Sequence, residues 1–579
     1  MMVSDSPLYT RWGKQLDKNN ILSEYPRPQF RRGSYLNLNG VWSYAIVKEQ
    51  ECPESFDGEI LVPFSPESPL SGVGCQLLPN EYLFYRRSFT LPEGFNRGRV
   101  LMHFGAVDQE ARVSVNGVEV GAHVGGFLPF SFDITDAVKD GENTVLVRVR
   151  DVSDTMYYAR GKQKLQRGGI FYTAQSGIWQ TVWLESVPQD YITHLKLTPM
   201  YDDGCIRIET QASGDAETEI EIYDGAQKIT GAVGADVTVR LENFKSWSPE
   251  SPFLYDLKLK HGTDSVDSYF AMRKISLGKN EYGYPCMLLN NKPYFHNGLL
   301  DQGYYSDGYL TPPSDEAMIH DIQTAKDLGF NMLRKHIKIE PMRWYYHCDR
   351  LGMLVWQDMV NGGEHETFYW TGVTGFLHWK MDDTAEKNYK HAGRLNAAGR
   401  EMYTRETRET VELLYNVPSI VLWVPFNEGW GQFNAKDAYR LVKSLDPTRL
   451  IDHASGWQDQ GIGDFNSRHI YFTPIHSKLD DRPFILSEFG GLGVRAPGHM
   501  FTKKIFCYKM YKTKEKITAA YRRLYEKKII PYTKKGMAAS VYTQLTDVEE
   551  EINGMMTYDR EELKIDADTI RELNAKCRF

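Results

Sequence analysis

The sequence predicts a multidomain β plus α/β protein. We expect an N-terminal jelly-roll β-sandwich over residues 1–186, an immunoglobulin-like β-sandwich over 187–274 and a C-terminal (β/α)8 barrel over 275–579. Three observations carry this reading. At 579 residues the chain exceeds what one compact core organises. Its first half alternates apolar and polar residues with period two and is punctuated by Asn-Gly and Asp-Gly turns. After Lys274 short unbroken apolar runs alternate with helical periodicity, and eight such runs are the signature of the barrel.

In the first unit, "RVSVNGVEVG" (Arg112 to Gly121) places Asn116-Gly117 between alternating residues, a hairpin signal because both turn positions need positive φ. "NTVLVRVRD" (Asn143 to Asp151) and "TVWLE" (Thr181 to Glu185) repeat the alternation. In the second unit "TEIEIYDGAQKIT" (Thr218 to Thr230) turns at Asp224-Gly225, and "DVTVRL" and "FLYDLKLK" supply further short strands. The third unit opens with the strand "PYFHNGLL" (Pro293 to Leu300). The helix "SDEAMIHDIQTAKDLG" follows, with Ser314 as cap and Gly329 as stop. The remaining strands are "FNMLRKH", "MLVWQD", "SIVLWVPFNE", "RLIDHASG", "RHIYF", "PFILSEFGG" and "AASVYTQ".

Bulk properties exclude several classes. Hydrophobic residues at 41% and charged residues at 25% fit an ordinary globular protein. No apolar run reaches the ~18 residues of a membrane-spanning helix. The first residues lack a basic and then apolar leader pattern, so a cytoplasmic location is expected. The seven cysteines are scattered without a CxxC pair, so neither a disulfide framework nor a zinc knuckle is indicated. A net charge of −8 argues against nucleic acid as partner. The basic stretch from Lys503 to Lys528 interleaves Ile505, Phe506, Tyr508, Tyr511, Ile517 and Leu524, which reads as one solvated helical face.

Two carboxylates stand out. Glu428 and Glu488 each follow an apolar run, at the strand ends where barrel chemistry sits and where an unpaired carboxylate suffers desolvation. Either alone reads equally as a helix cap or an ion-pair member. Together, at the ends of strands four and seven, they match glycoside hydrolysis, which needs one protonated and one ionised carboxyl group. His469 and Tyr471 are two apart and share a strand face, as do Arg334 and His336. Asp358, closing "VWQDM", is a candidate for a sugar hydroxyl or a helix cap. With aromatic residues at 13%, Trp370, Trp379, Trp430 and Trp457 near the rim loops are candidate stacking platforms for sugar rings. "GGEHETF" is a lone His between glutamates, so no catalytic metal and no cofactor are expected.

With Asn-Glu ending strand four and Glu ending strand seven, behind two β-domains, the chain resembles glycoside hydrolase family 2. "YLFYRRSFTLP", "VNGVEVGAHVGGFLPFSFDIT", "SGIWQTVWLE", "WSPESPFLYDL" and "LLNNKPYFHNG" extend the likeness over essentially the whole sequence. The resemblance implies Glu428 as acid/base, Glu488 as nucleophile, Asn427 at the sugar 2-hydroxyl, Tyr471 hydrogen-bonded to the nucleophile and Arg334 keeping it ionised. It implies a retaining exo-β-glycosidase, with β-galactosidase first and β-glucuronidase, β-mannosidase, arabinosidase or a non-catalytic carbohydrate-binding protein as alternatives. The implied partner is a carbohydrate, with no membrane, and self-association is left open. The chain departs from the family pattern in three places. Arg334 and His336 are two apart rather than three, so His336 is not carried over. Strand eight runs into "VYTQLTDVEEE" where a Trp is usual, leaving Gln544 or Asp547. The Asn-x-Lys signature of β-glucuronidases is not evident after Glu488.

Overall fold

The computed structural model describes residues 7–367, 370, 372, 380–475 and 480–579. The N-terminal unit packs a six-stranded antiparallel sheet against a four-stranded one. In its strand Glu142–Arg150, Val145, Val147 and Val149 are fully buried while Leu146 and Arg148 are not, as a half-buried strand requires. Asn116 and Gly117 have φ of 51° and 82° and join strands Glu110–Val115 and Val118–Val124. The second unit packs a three-stranded sheet on a four-stranded one around Ile208, Ile222, Leu257 and Val266.

The barrel strands are β1 (His296–Asp301), β2 (Met332–Lys335), β3 (Leu354–Asp358), β4 (Ile420–Val424), β5 (Leu450–Ile451), β6 (Asn466–Ile470), β7 (Phe484–Gly490) and β8 (Met537–Thr543). Among the described residues the parallel ladder runs β5-β4-β3-β2-β1-β8-β7-β6, the order of a sheet curled into a barrel. Its two ends meet through side chains. Ser467, on β6, donates to Asp452 at 2.7 Å, and Asp464 accepts from the Ile451 N–H at 2.8 Å. Helix α1 (Asp315–Asp327) starts where Ser314 accepts from the Ala317 N–H, and helix α2 (Met342–Leu351) stops at Gly352, whose φ is 75°.

Two expectations change. The "RLIDHASG" segment forms not one strand but two short pieces, Leu450–Ile451 and Ala454–Ser455, because Asp452 turns inward to Ser467 between them. The basic stretch is not one helical face. Only Lys514–Leu524 is a regular α-helix (α3), started by the Thr513 hydroxyl accepting from the Lys516 N–H. Upstream of it, Phe506 and Tyr508 pack against the barrel mouth, with the Phe506 N–H bonded to the Glu550 carbonyl.

The two sandwiches dock at opposite ends of the barrel. The second unit holds the N-terminal end: Trp247 donates to the Asp349 carbonyl, Tyr269 to the Asp349 carboxylate, and Arg273 to the Pro418 carbonyl before β4. The first unit reaches the C-terminal mouth beyond β8, where Arg167 pairs with Glu549 at 3.2 Å and Tyr172 donates to Glu551 at 2.5 Å. No helix among the described residues is long and apolar enough to cross a membrane.

Candidate active site

β4 runs through Pro425 into the short piece Phe426–Asn427, which pairs with Ala454–Ser455. Glu428 follows with φ of 53°, a left-handed conformation that a non-glycine residue adopts only under constraint. Its N–H is held by the Ser455 carbonyl at 2.9 Å, and the turn continues through Gly429 and Gly431 at φ of 74° and 58°. The strained turn brings the Glu428 carboxyl to 2.7 Å from His469 Nδ1. Glu488 lies within β7, and one ligating atom from each of Glu428, His469 and Glu488 falls within 4.8 Å of the other two.

Arg334 organises this group from β2. Fully buried, it makes a bidentate pair with Asp358 (3.0 and 3.1 Å), and its Nη1 donates to Glu488 Oε1 (3.2 Å) and to the Ser487 carbonyl. Its Nη2 donates to Asn427 Oδ1 at 2.8 Å, which turns the Asn427 NH2 away from the guanidinium. Tyr471 donates to the other oxygen of Glu488 at 2.6 Å.

His469 links the two carboxyl groups. Burial drives its pKa down to about 4, against the attraction of Glu488, so the ring is neutral at pH 7. Arg334 Nη1 lies 3.4 Å from Nε2 and can only donate, which makes Nε2 the acceptor and leaves the proton on Nδ1. Nδ1 sits 2.7 Å from Glu428 and 3.6 Å from Glu488. Nδ1 thus donates toward Glu428, and the trio forms a hydrogen-bond relay.

The carboxyl groups differ in environment. Burial pushes Glu428 up to about 7, opposed by Lys162 and Arg334. Burial also raises Glu488, but His469, Arg334 and the Tyr471 hydroxyl pull it back, with Glu428 acting the other way. One carboxyl group therefore holds a proton near neutrality while the other is surrounded by donors that favour its anion.

The structure brings Asn427, Glu428, Glu488, Arg334, His469 and Tyr471 together. Trp457, half-buried, has its ring 6.2 Å from His469, and Trp430 stacks on Phe171 at 5.2 Å. Trp370 is fully buried and donates to the Gly429 carbonyl, so it supports the turn. Trp379 lies outside the described residues. Asp358 is 1% exposed, and its oxygens are bonded by Arg334 and by His336, 2.7 Å away, so the structure shows it as a partner of Arg334. Asp547 is turned to Lys564 at 2.5 Å, and Gln544 accepts from Gln302 at 2.7 Å. At the end of β8, the Thr543 hydroxyl lies 3.0 Å from that of Tyr471. Tyr508, stacked on Tyr471 at 3.7 Å, and Lys162 and Phe171 from the first sandwich also escaped sequence reasoning. They arrive from loops distant in sequence, without a strand or helix pattern to point at them.

Comparison with known proteins identifies the architecture. The family profile for the TIM barrel domain of glycosyl hydrolases family 2 matches residues 286–571, that for its sugar binding domain 77–188, and a third family 2 profile 191–273. The chain belongs to glycoside hydrolase family 2. A β-galactosidase of Lactococcus lactis is 26% identical over 70% of the chain and 39% of its own length. A putative β-glucuronidase of Formosa agariphila is 26% identical over 70% of the chain and 50% of its own length. This family 2 chain thus spans half or less of the length of those curated relatives. Among solved structures, a β-glucuronidase of an uncultured Clostridium superposes with a TM-score of 0.75 at 18% identity, covering 94% of the chain and 99% of its own.

Proposed function

We propose that the protein is a retaining exo-β-glycosidase that removes a terminal sugar through a covalent glycosyl-enzyme, with β-galactosides as the leading substrates. The observation that carries this is the spacing of Glu428 and Glu488, whose nearest oxygens lie within 4.8 Å. Double displacement needs carboxyl groups ~5–5.5 Å apart, whereas single displacement leaves ~6.5–9.5 Å for a water.

In this reading the Glu488 carboxylate attacks the anomeric carbon while Glu428 gives its proton to the leaving oxygen. Glu428 then takes a proton from water, whose oxygen displaces Glu488 from the sugar. Arg334 and Tyr471 hold Glu488 as an anion in attacking position, and the free amide of Asn427 donates to the 2-hydroxyl as positive charge develops on the ring. Trp457 and Trp430 offer apolar faces to the sugar. The β-galactosidase among the relatives supports the choice of sugar.

The test is release of nitrophenol from aryl β-galactoside, β-glucuronide, β-glucoside, β-mannoside and α-L-arabinoside, with Glu488→Gln as control. Hydrolysis of one member, abolished in the control, is the expected result. Sugar affinity without turnover of any member would replace the proposal with a carbohydrate-binding protein.

A further inference from the structure

Tyr471 is the first residue past β6, and Phe472 after it is 63% exposed, so the chain is leaving the sheet where a phenol has to be held against the nucleophile. The Tyr471 hydroxyl donates to Glu488 Oε2 at 2.6 Å and lies 3.0 Å from that of Thr543. A contact at the oxygen alone does not fix a ring. One face of this ring is covered by Tyr508, from the segment between β7 and α3, with the two planes 2° apart and the centroids 3.7 Å apart.

The backbone around Tyr508 imposes that stack. Aromatic pairs ordinarily prefer centroids ~4.5–7 Å apart, so the rings alone do not account for so close an approach. The N–H groups of Tyr508 and Lys509 both donate to the Gly491 carbonyl, at 3.1 and 3.2 Å, and Leu492–Val494 pairs in parallel with Lys509–Tyr511. Gly491 has φ of 63°, and a Cβ there would stand 2.3 Å from Tyr508 Cδ2, so only glycine admits the ring. On the other side, the Phe506 N–H donates to the Glu550 carbonyl at 2.6 Å, and the Phe506 ring meets that of Tyr508 edge-on at 5.4 Å. Tyr508 is thus anchored to the continuation of β7, the strand that carries Glu488.

We propose that Tyr508 is a positioning residue whose ring holds the Tyr471 phenol on Glu488, so that this donor is in place when the glycosyl-enzyme breaks down. The proposal rests on the glycosidase reading and deepens it. In that second step the water oxygen bonds to the anomeric carbon and the bond from that carbon to the Glu488 oxygen breaks. The electron pair of the broken bond returns to the carboxylate, and a water proton goes to Glu428. Charge grows on Glu488, and a hydroxyl already 2.6 Å away stabilises it. In the first step Glu488 loses charge, so the same donor gives no help in crossing that barrier. A loosened Tyr471 therefore slows the second step and spares the first.

The test compares the parent, Tyr508→Leu and Tyr508→Phe on the dinitrophenyl β-glycoside of the sugar that the parent hydrolyses, whose fast-leaving aglycone makes the second step limiting. We expect kcat of Tyr508→Leu to fall ~10–100-fold, the worth of one hydrogen bond to a charged group. KM should fall with it, so that kcat/KM changes by less than ~3-fold. Tyr508→Phe keeps the ring and should recover most of the loss. In a Tyr471→Phe background Tyr508→Leu should cost nothing further, because it acts through Tyr471. Crystal structures of the three proteins without substrate give a readout independent of turnover: Tyr471 should leave hydrogen-bond reach of Glu488 in Tyr508→Leu and keep it in Tyr508→Phe. A raised KM at unchanged kcat would make Tyr508 a sugar contact, and equal falls in kcat and kcat/KM would make its role structural. Either overturns the proposal, as does an additive loss in the Tyr471→Phe background or a Tyr471 that stays on Glu488 in Tyr508→Leu. Tyr508→Met, which fills the space without a flat face, takes the place of Tyr508→Leu if that variant does not fold. If the parent hydrolyses no aryl glycoside, the hydrolase reading falls alone, and the crystal structures still decide whether Tyr508 holds Tyr471.

Discussion

The immunoglobulin-like sandwich and the barrel mouth treat charge in opposite ways. Along Tyr255–His261 the residues alternate buried and exposed, so Asp256, Lys258 and Lys260 reach water while Leu257 and Leu259 fill the core. Along Met332–Lys335 and Leu354–Asp358 every residue is buried, including Arg334, Lys335 and Asp358. A strand covered on both faces has no solvent side for its charges, so each must be answered inside the protein. The difference teaches where to look for chemistry: charge in the sandwich marks the surface, while charge in the barrel marks a network that must close on itself or on a ligand.

The strongest break in that comparison is Glu428→Gln. We expect turnover to fall by ~10²–10⁴ for substrates with a poor leaving group, the usual worth of a positioned acid. Nitrophenyl glycosides, whose leaving oxygen needs little protonation, should lose much less in the first step. The parent's rate should decline as pH rises through about 7, and this limb should be absent in the variant. Stability gives an independent reading of the same group. Its folded pKa lies above the ordinary 4.5, so its contribution to stability is complete below about pH 4.5 and is lost as pH climbs through about 7. Glu428→Gln should therefore gain on the parent above pH 7, with the gain vanishing below pH 4.5, as followed by urea unfolding across pH.

Arg334→Met comes next. It would leave Asp358 and Glu488 without the guanidinium that sits 3.0 and 3.2 Å from them, and uncompensated buried charge of this kind costs ~3–5 kcal/mol. The unfolding midpoint in urea should fall accordingly, and Glu488 should be harder to ionise. At the other extreme, Arg207→Ala in the immunoglobulin-like sandwich removes an exposed pair with Asp236, and we expect no measurable change in midpoint. A large loss there would mean that surface charge carries more of this fold than the comparison allows.

These contrasts also explain what the sequence disclosed. The apolar runs of β3, β4 and β7 are legible because two-sided burial writes itself as unbroken hydrophobicity, and a carboxylate closing such a run is conspicuous. Glu428 and Glu488 could be named for that reason, whereas Arg334 and Tyr471 were named from the resemblance to the family. For Asp358 the sequence shows that it ends a strand but not that Arg334 and His336 bond to its oxygens. The helix seen in the basic stretch failed upstream of Thr513, where Phe506 and Tyr508 find partners on the barrel mouth that override local periodicity. Lys162 carried no signal at all. Its position depends on a docking between domains, fixed by Gly161 against Ile337 and Tyr172 against Glu551, that no local pattern encodes.

The central claim is that Glu428 and Glu488 act as acid and nucleophile in a double displacement. The most direct measurement is proton NMR of the reaction at early times on whichever β-glycoside the protein hydrolyses, reading which anomer of the free sugar appears first. The account predicts the β-anomer first, with the α-anomer growing in only by mutarotation, and the α-anomer appearing first would contradict it.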